Sequence, residues 1–146
     1  MRSDLQLIDY TFTEVTVKVL PIYKNKPPVT KPWTFNLDWD FDIGENKKVH
    51  DRYRLALWIE IKEKSANHRS PYAIRIEIMG LFDYKPYKER IPNNQLLPNV
   101  TLWGLSILYG LIRSTVGELT AQCYQGKFIL PSVNFVEGLK KKTKKQ

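Results

Sequence analysis

Trp33-Thr34-Phe35-Asn36-Leu37-Asp38-Trp39-Asp40-Phe41-Asp42-Ile43 decides the fold. Every odd position is large and apolar and every even one polar, and a period of two sends the sets to opposite faces of a strand. The face with Trp33, Phe35, Leu37, Trp39, Phe41 and Ile43 is predicted buried, and the face with Asp38, Asp40 and Asp42 wet. The alternation recurs on both sides. Leu5 to Phe12 opens a mixed stretch, and Thr11 to Leu20 puts Val15, Val17 and Val19 on one face before Pro21 and the loop Lys24-Asn25-Lys26-Pro27-Pro28. After a turn over Gly44 to Lys48, a third strand from Tyr53 to Lys62 buries Tyr53, Leu55, Leu57, Ile59 and Ile61. Ser65 to Pro71 connects it to a fourth, Tyr72 to Phe82, with Ile74, Ile76 and Ile78 inward and Arg75 and Glu77 outward. Short polar connections without helices make the four strands an antiparallel sheet.

An apolar sheet face must be covered. The cover is a helix predicted from an Asn99 N-cap to about Cys123. Leu102, Leu105, Tyr109, Ile112, Val116 and Leu119 share one side of it, and Trp103, Ile107 and Leu111 another. A helix apolar on two sides is buried on two sides. The second side therefore implies a partner copy of the same helix. Phe128 to Leu130 is a short extended run closed by Pro131, and Ser132 caps a last short helix through Phe135, Val136 and Leu139. The fold class is α+β: a four-stranded antiparallel sheet, one long helix across a face, and a short C-terminal helix. A single domain spans 1–139, with a basic tail over 140–146.

The 146 residues suit one domain. Hydrophobic residues at 42% and charged residues at 26% exclude a disordered chain. The net charge is +8, of which Lys140, Lys141, Lys142, Lys144 and Lys145 carry five. The body is thus nearly balanced, and the tail reads as a solvated extension. No signal peptide is evident at Met1 to Asp9. The apolar run after Asn99, about 13 residues, is too short to span a bilayer. A soluble, cytoplasmic protein without membrane insertion follows as an expectation.

Catalysis finds little footing. Cys123 is the only cysteine, with His50 and His68 the only histidines, so a disulfide framework or thiolate zinc site is excluded and no metal or cofactor is expected. The row Asp38, Asp40, Asp42 is what a half-wet strand needs. No glycine spacing makes a phosphate loop. Nucleic-acid binding has aromatic and basic residues in its favour, with Trp58 and Tyr72 as candidates for exposed stacking. Against it, most aromatics share the face that takes the helix, and the opposite face carries aspartates. A non-enzymatic protein-binding module remains, warranted by surplus apolar surface.

The order of elements resembles the SecB family of protein-export chaperones. The similar blocks are Asn99-Val100-Thr101-Leu102-Trp103-Gly104-Leu105, then Ile112-Arg113-Ser114-Thr115-Val116, then Gly126 through Pro131 to Val133-Asn134-Phe135, with Gly80-Leu81-Phe82 ending the fourth strand. The resemblance implies a cytoplasmic, ATP-independent holdase, a dimer or dimer of dimers, that binds unfolded or extended apolar client segments in grooves between sheet, helix and loops. Groove residues implied here are Trp33, Trp39, Phe41, Tyr109 and Ile112. Trp103, Ile107 and Leu111 would serve helix-to-helix assembly. The net basic charge departs from members that dock the export ATPase through an acidic sheet surface, and argues against that docking. Divergent relatives that guard one partner, such as an antitoxin, offer the alternative to a general holdase, as does a nucleic-acid-binding module.

Overall fold

In a computed structural model, described over residues 4–20, 34–63 and 70–144, the alternating segments form one antiparallel sheet. Its strands are β1 (Leu5–Val19), β2 (Asp38–Glu45), β3 (Arg52–Ile61) and β4 (Tyr72–Tyr84), in the order β1-β4-β3-β2. Two helices follow, α1 (Asn93–Ala121) and α2 (Phe135–Lys144). The α+β architecture read from the sequence is the observed one. β3 and β4 lie in the middle, so their apolar positions are the most completely buried: Leu55, Leu57, Ile59 and Ile61 face Ile74, Ile76, Ile78 and Phe82 on the helix side.

The edge strands behave differently. β1 keeps Val15, Val17 and Val19 in register with Ile76, Ile74 and Tyr72, on the helix side as expected. Val15 is nevertheless exposed, because an edge strand has a neighbour on one flank only. Two register shifts, between Leu7 and Asp9 and between Phe12 and Glu14, bend β1. β2 begins at Asp38, five residues later than its alternation predicts. Trp33 lies outside the described residues, as do the whole loop Lys24-Asn25-Lys26-Pro27-Pro28 and His68.

α1 starts earlier than expected. Pro92, not Asn99, is the N-cap residue, and Pro98 sits inside the helix. Proline there removes one hydrogen bond, to the Asn94 carbonyl, in the second turn of the helix. Burial of Leu96 and Val100 offsets that loss. At 29 residues α1 is long and apolar enough to cross a membrane, so the length argument made on 13 residues does not hold. Its packing accounts for the composition: Leu105, Leu108, Ile112 and Val116 are fully buried on the sheet. Leu108 belongs to this face although the sequence reading left it out, while Leu119 is exposed.

The helix sits unusually close to β3 and β4. A Cβ built on Gly104 would lie 2.5 Å from Leu55 Cδ2, and one on Gly80 2.8 Å from Leu108 Cδ2. Gly104→Val would force its methyls into Leu55 and Phe82. We expect a loss of about 1–3 kcal/mol in urea unfolding, and an unchanged midpoint would contradict this packing.

At the far end of the sheet, one bidentate ion pair ties the β2–β3 hairpin to the connection leading into α1, and a second joins β3 to β4. Arg90 grips Asp51 at 2.5 and 2.7 Å, and Arg52 grips Asp83 at 2.7 and 3.0 Å. Asp51 has φ 58°, so the hairpin holds a left-handed residue in place through its side chain. Hydrogen bonding to Arg90 holds the Asp51 carboxyl below the usual carboxylate range, and Arg52 does the same for Asp83. A depressed folded pKa stabilises above the unfolded value near pH 4 and loses that contribution as pH falls through the folded value. Stability should therefore fall from about pH 5 to about pH 2, and less steeply in Asp51→Asn. Thermal melts across that range check it; parallel slopes for the two proteins would contradict it.

Candidate functional site

The site is a set of aromatic side chains between the β2 edge, the middle of α1 and the C-terminal chain. Alternation places Trp39, Phe41 and Ile43 on the helix side of β2, in register with Ile59, Leu57 and Leu55. Phe41, Trp39, Phe135 and Tyr109 follow one another in ring contacts of 6.3, 5.0 and 5.6 Å. A second run joins Phe35, Phe128 and Tyr72 at 5.2 and 5.8 Å. Edge-to-face geometry in several of these pairs adds to simple burial.

What lies over these rings is the chain from Gly126 to α2, and side chains fasten it. Tyr72 Oη donates to the Gly126 carbonyl at 2.7 Å, and the Phe128 N–H donates to Thr120 Oγ1 at 2.7 Å. Arg113 Nε donates to the Leu130 carbonyl at 3.0 Å and Tyr109 Oη to the Pro131 carbonyl at 2.5 Å. Burial pushes the Tyr72 and Tyr109 hydroxyls up to about 12, so both remain protonated donors at neutral pH. Phe128 and Leu130 point inward and Ile129 outward, the alternation of an extended segment.

α2 completes the cover. Its cap is Asn134, whose Oδ1 accepts from the Glu137 N–H at 3.1 Å, rather than Ser132. It runs through Lys144, so most of the expected lysine tail is helix. Phe135, Gly138, Leu139 and Lys142 recur at helical spacing and face β2. Gly138 is there because nothing larger fits: an added Cβ would lie 2.3 Å from Trp39 Cζ2. One turn on, the Lys142 ammonium stands 4.6 Å over the Trp39 ring and donates to the Trp39 carbonyl at 2.9 Å.

The structure thus brings together Trp39, Phe41 and Tyr109 from the residues expected in a groove. Trp39 and Phe41 are half-buried. Tyr109 is buried under Pro131, and Ile112 is fully buried in the core between α1 and the sheet. Phe35, Phe128, Phe135, Gly138 and Lys142 were not singled out for the site. The helical spacing of Phe135, Leu139 and Lys142 was the signal for the last of these, obscured by reading the lysines as tail.

Trp103, Ile107 and Leu111 occupy the other side of α1. Trp103 is 36% exposed, Ile107 and Leu111 are half-buried, and an added Cβ on Gly110 would meet nothing within 4 Å. The stacking candidates fare unequally. Tyr72 is buried at the heart of the aromatic set and cannot stack on a base. Trp58 is 37% exposed on the outer sheet face, opposite Asp40 and Glu77, whose carboxylates repel phosphate. A cavity of about 470 Å³ beside it is lined by Glu14, Glu60, Arg75 and Glu77. Cys123 is half-buried with its thiol toward the Leu119 carbonyl. Among the described residues no three His, Cys, Asp or Glu side chains are grouped to hold a metal.

No family model and no curated protein sequence matches the chain. Among the solved structures that match the chain are the following two. One is a protein of unknown function from Streptococcus agalactiae, at 9% identity and a TM-score of 0.49 over 88% of this chain and 97% of that one. The other is the Mycobacterium tuberculosis Rv1957 SecB-like chaperone in complex with a ChAD peptide from the Rv1956 HigA1 antitoxin, at 17% identity and a TM-score of 0.61 over 90% of this chain and 91% of that one. The likeness spans nine-tenths of both chains, and the protein, with its four-stranded antiparallel sheet, long helix and short terminal helix, has a SecB-like fold.

Proposed function

We propose that the protein is a non-enzymatic, cytoplasmic chaperone that holds an extended apolar segment of a dedicated client. The observation that carries the reading is the aromatic run of Phe41, Trp39, Phe135 and Tyr109, which begins with half-buried rings on the β2 edge strand and passes under the short helix that supplies Phe135. Rings that present faces and edges over a long path accept apolar side chains without a fixed geometry. The fold likeness to a chaperone bound to an antitoxin peptide supports a single partner of that kind over general export service. The +8 charge supports the same choice, since it disfavours docking to an export motor through acidic groups. Groove contacts are assigned to Trp39, Phe41 and Tyr109, with Trp33 beside them on the sequence pattern. Trp103, Ile107 and Leu111 are assigned to assembly of a dimer or dimer of dimers.

An array of overlapping peptides, alternating in apolar content and probed with the purified protein without nucleotide, tests this. The expected result is binding confined to a few related extended peptides. Equal retention of every apolar peptide would indicate a general holdase instead. Retention of none would remove the chaperone reading.

A further inference from the structure

The β2 edge is blocked by the protein's own side chains. The Asn46 N–H donates to the Arg52 carbonyl at 2.7 Å, and this closing pair fixes the phase of the β2–β3 ladder. By alternation, Asp38, Asp40 and Asp42 turn their backbone groups toward β3, while Trp39, Phe41 and Ile43 turn theirs outward. Such a row is a template for another strand. Here it is capped. The Trp39 carbonyl accepts from Lys142 Nζ at 2.9 Å, and the Phe41 N–H donates to Asp40 Oδ1 at 2.9 Å. The caps are joined, since Lys142 Nζ lies 3.4 Å from Asp40 Oδ1. Lys142 reaches this point from α2, over the Trp39 ring that Gly138 packs against.

We infer that α2 is a self-inhibitory strap, latched to the β2 edge by Lys142 and Asp40, which a client must displace to add itself as a fifth strand beside β2. This rests on the proposed chaperone function and specifies how its site opens. The occupant is an extended segment with apolar residues at alternate positions. Its backbone would take over the bonds now made to the Trp39 carbonyl and the Phe41 N–H. Its apolar side chains would fall on the face that Trp39, Phe41 and Ile43 share. Latch and client use the same edge, so their binding is mutually exclusive. The Lys142–Asp40 contact is partly exposed and charged, which makes the latch sensitive to salt while the aromatic contacts are not.

The test is the affinity of the full chain for a fluorescein-labelled 16-residue peptide of alternating leucine and threonine, with sample mass recorded throughout. Lys142→Met, which keeps the apolar stem over Trp39 and removes the charge, should bind about tenfold tighter than the wild type. Asp40→Asn, which leaves the lysine–carbonyl bond, should fall between them. Raising salt from 20 to 500 mM should tighten wild-type binding and leave Lys142→Met unchanged. Equal affinities, or the same salt response in both proteins, would overturn the latch while leaving the chaperone reading intact. Binding by neither protein would overturn the fifth-strand inference, while the dedicated-client reading stands or falls on the peptide array. A doubling of mass in Lys142→Met without peptide uptake would show a second copy on the edge and overturn the inference.

Discussion

Phe128→Ala should be the most damaging single truncation, lowering stability by about 3–5 kcal/mol. The Phe128 ring is fully buried between Phe35 and Tyr72, and its backbone N–H is held by Thr120 Oγ1. Removing it opens a cavity where the C-terminal chain is nailed to α1 and β4. The loss is thus doubled in kind: core volume disappears, and the segment that carries α2 across the aromatic set loses its anchor. Urea unfolding measures the cost. Because that segment is also held at Gly126, Leu130 and Pro131, local release should precede global unfolding, seen as fast amide exchange over 127–142 at low denaturant. A cost below about 1 kcal/mol would mean that the segment is not part of the core.

The second large effect concerns assembly. Trp103 and Ile107 stand one helical turn apart on the side of α1 that faces away from the sheet, beside the open position at Gly110. A stripe of an indole, an aliphatic side chain and a small residue lets two helices approach closely. Trp103→Glu combined with Ile107→Glu would put two carboxylates in the proposed helix-to-helix contact, and burying them unpaired costs several kcal/mol. The double variant should sediment as a folded monomer where the wild type sediments as a dimer or tetramer. Its sheet is untouched, so its circular dichroism should match the wild type. Identical masses for the two proteins would place the assembly surface elsewhere.

The sheet was legible because burial on one face imposes a period of two, and the period survives any sequence that keeps it. β3 shows this most cleanly: all five expected positions from Tyr53 to Ile61 are buried. Edges were less legible. Val15 has the right parity and is still exposed, since parity says which face a side chain takes and not whether anything covers it. Helix ends were misread for local reasons. Pro98 and Asn99 look like a boundary, and only the distant packing of Leu96 shows that the helix has already begun. The lysines after Leu139 look like a solvated tail, yet the stem and ammonium of Lys142 lie against Trp39, more than a hundred residues away. Within the site, Trp39 and Phe41 were readable from their strand. The burial of Tyr109 was readable from the helical spacing it shares with Leu105 and Ile112, but its hydrogen bond to the Pro131 carbonyl was not, because no spacing encodes it.

Three tryptophans at separate places in the fold can report whether clients bind at the aromatic set beside β2. Trp39 stands within that set, Trp58 on the outer sheet face and Trp103 on the far side of α1. Their indole N–H signals can be followed in nitrogen-15-labelled protein as a nitroxide-bearing extended apolar peptide is added. The Trp39 signal should broaden at the lowest peptide ratio while those of Trp58 and Trp103 stay sharp. Broadening of Trp58 or Trp103 with Trp39 unaffected would contradict it.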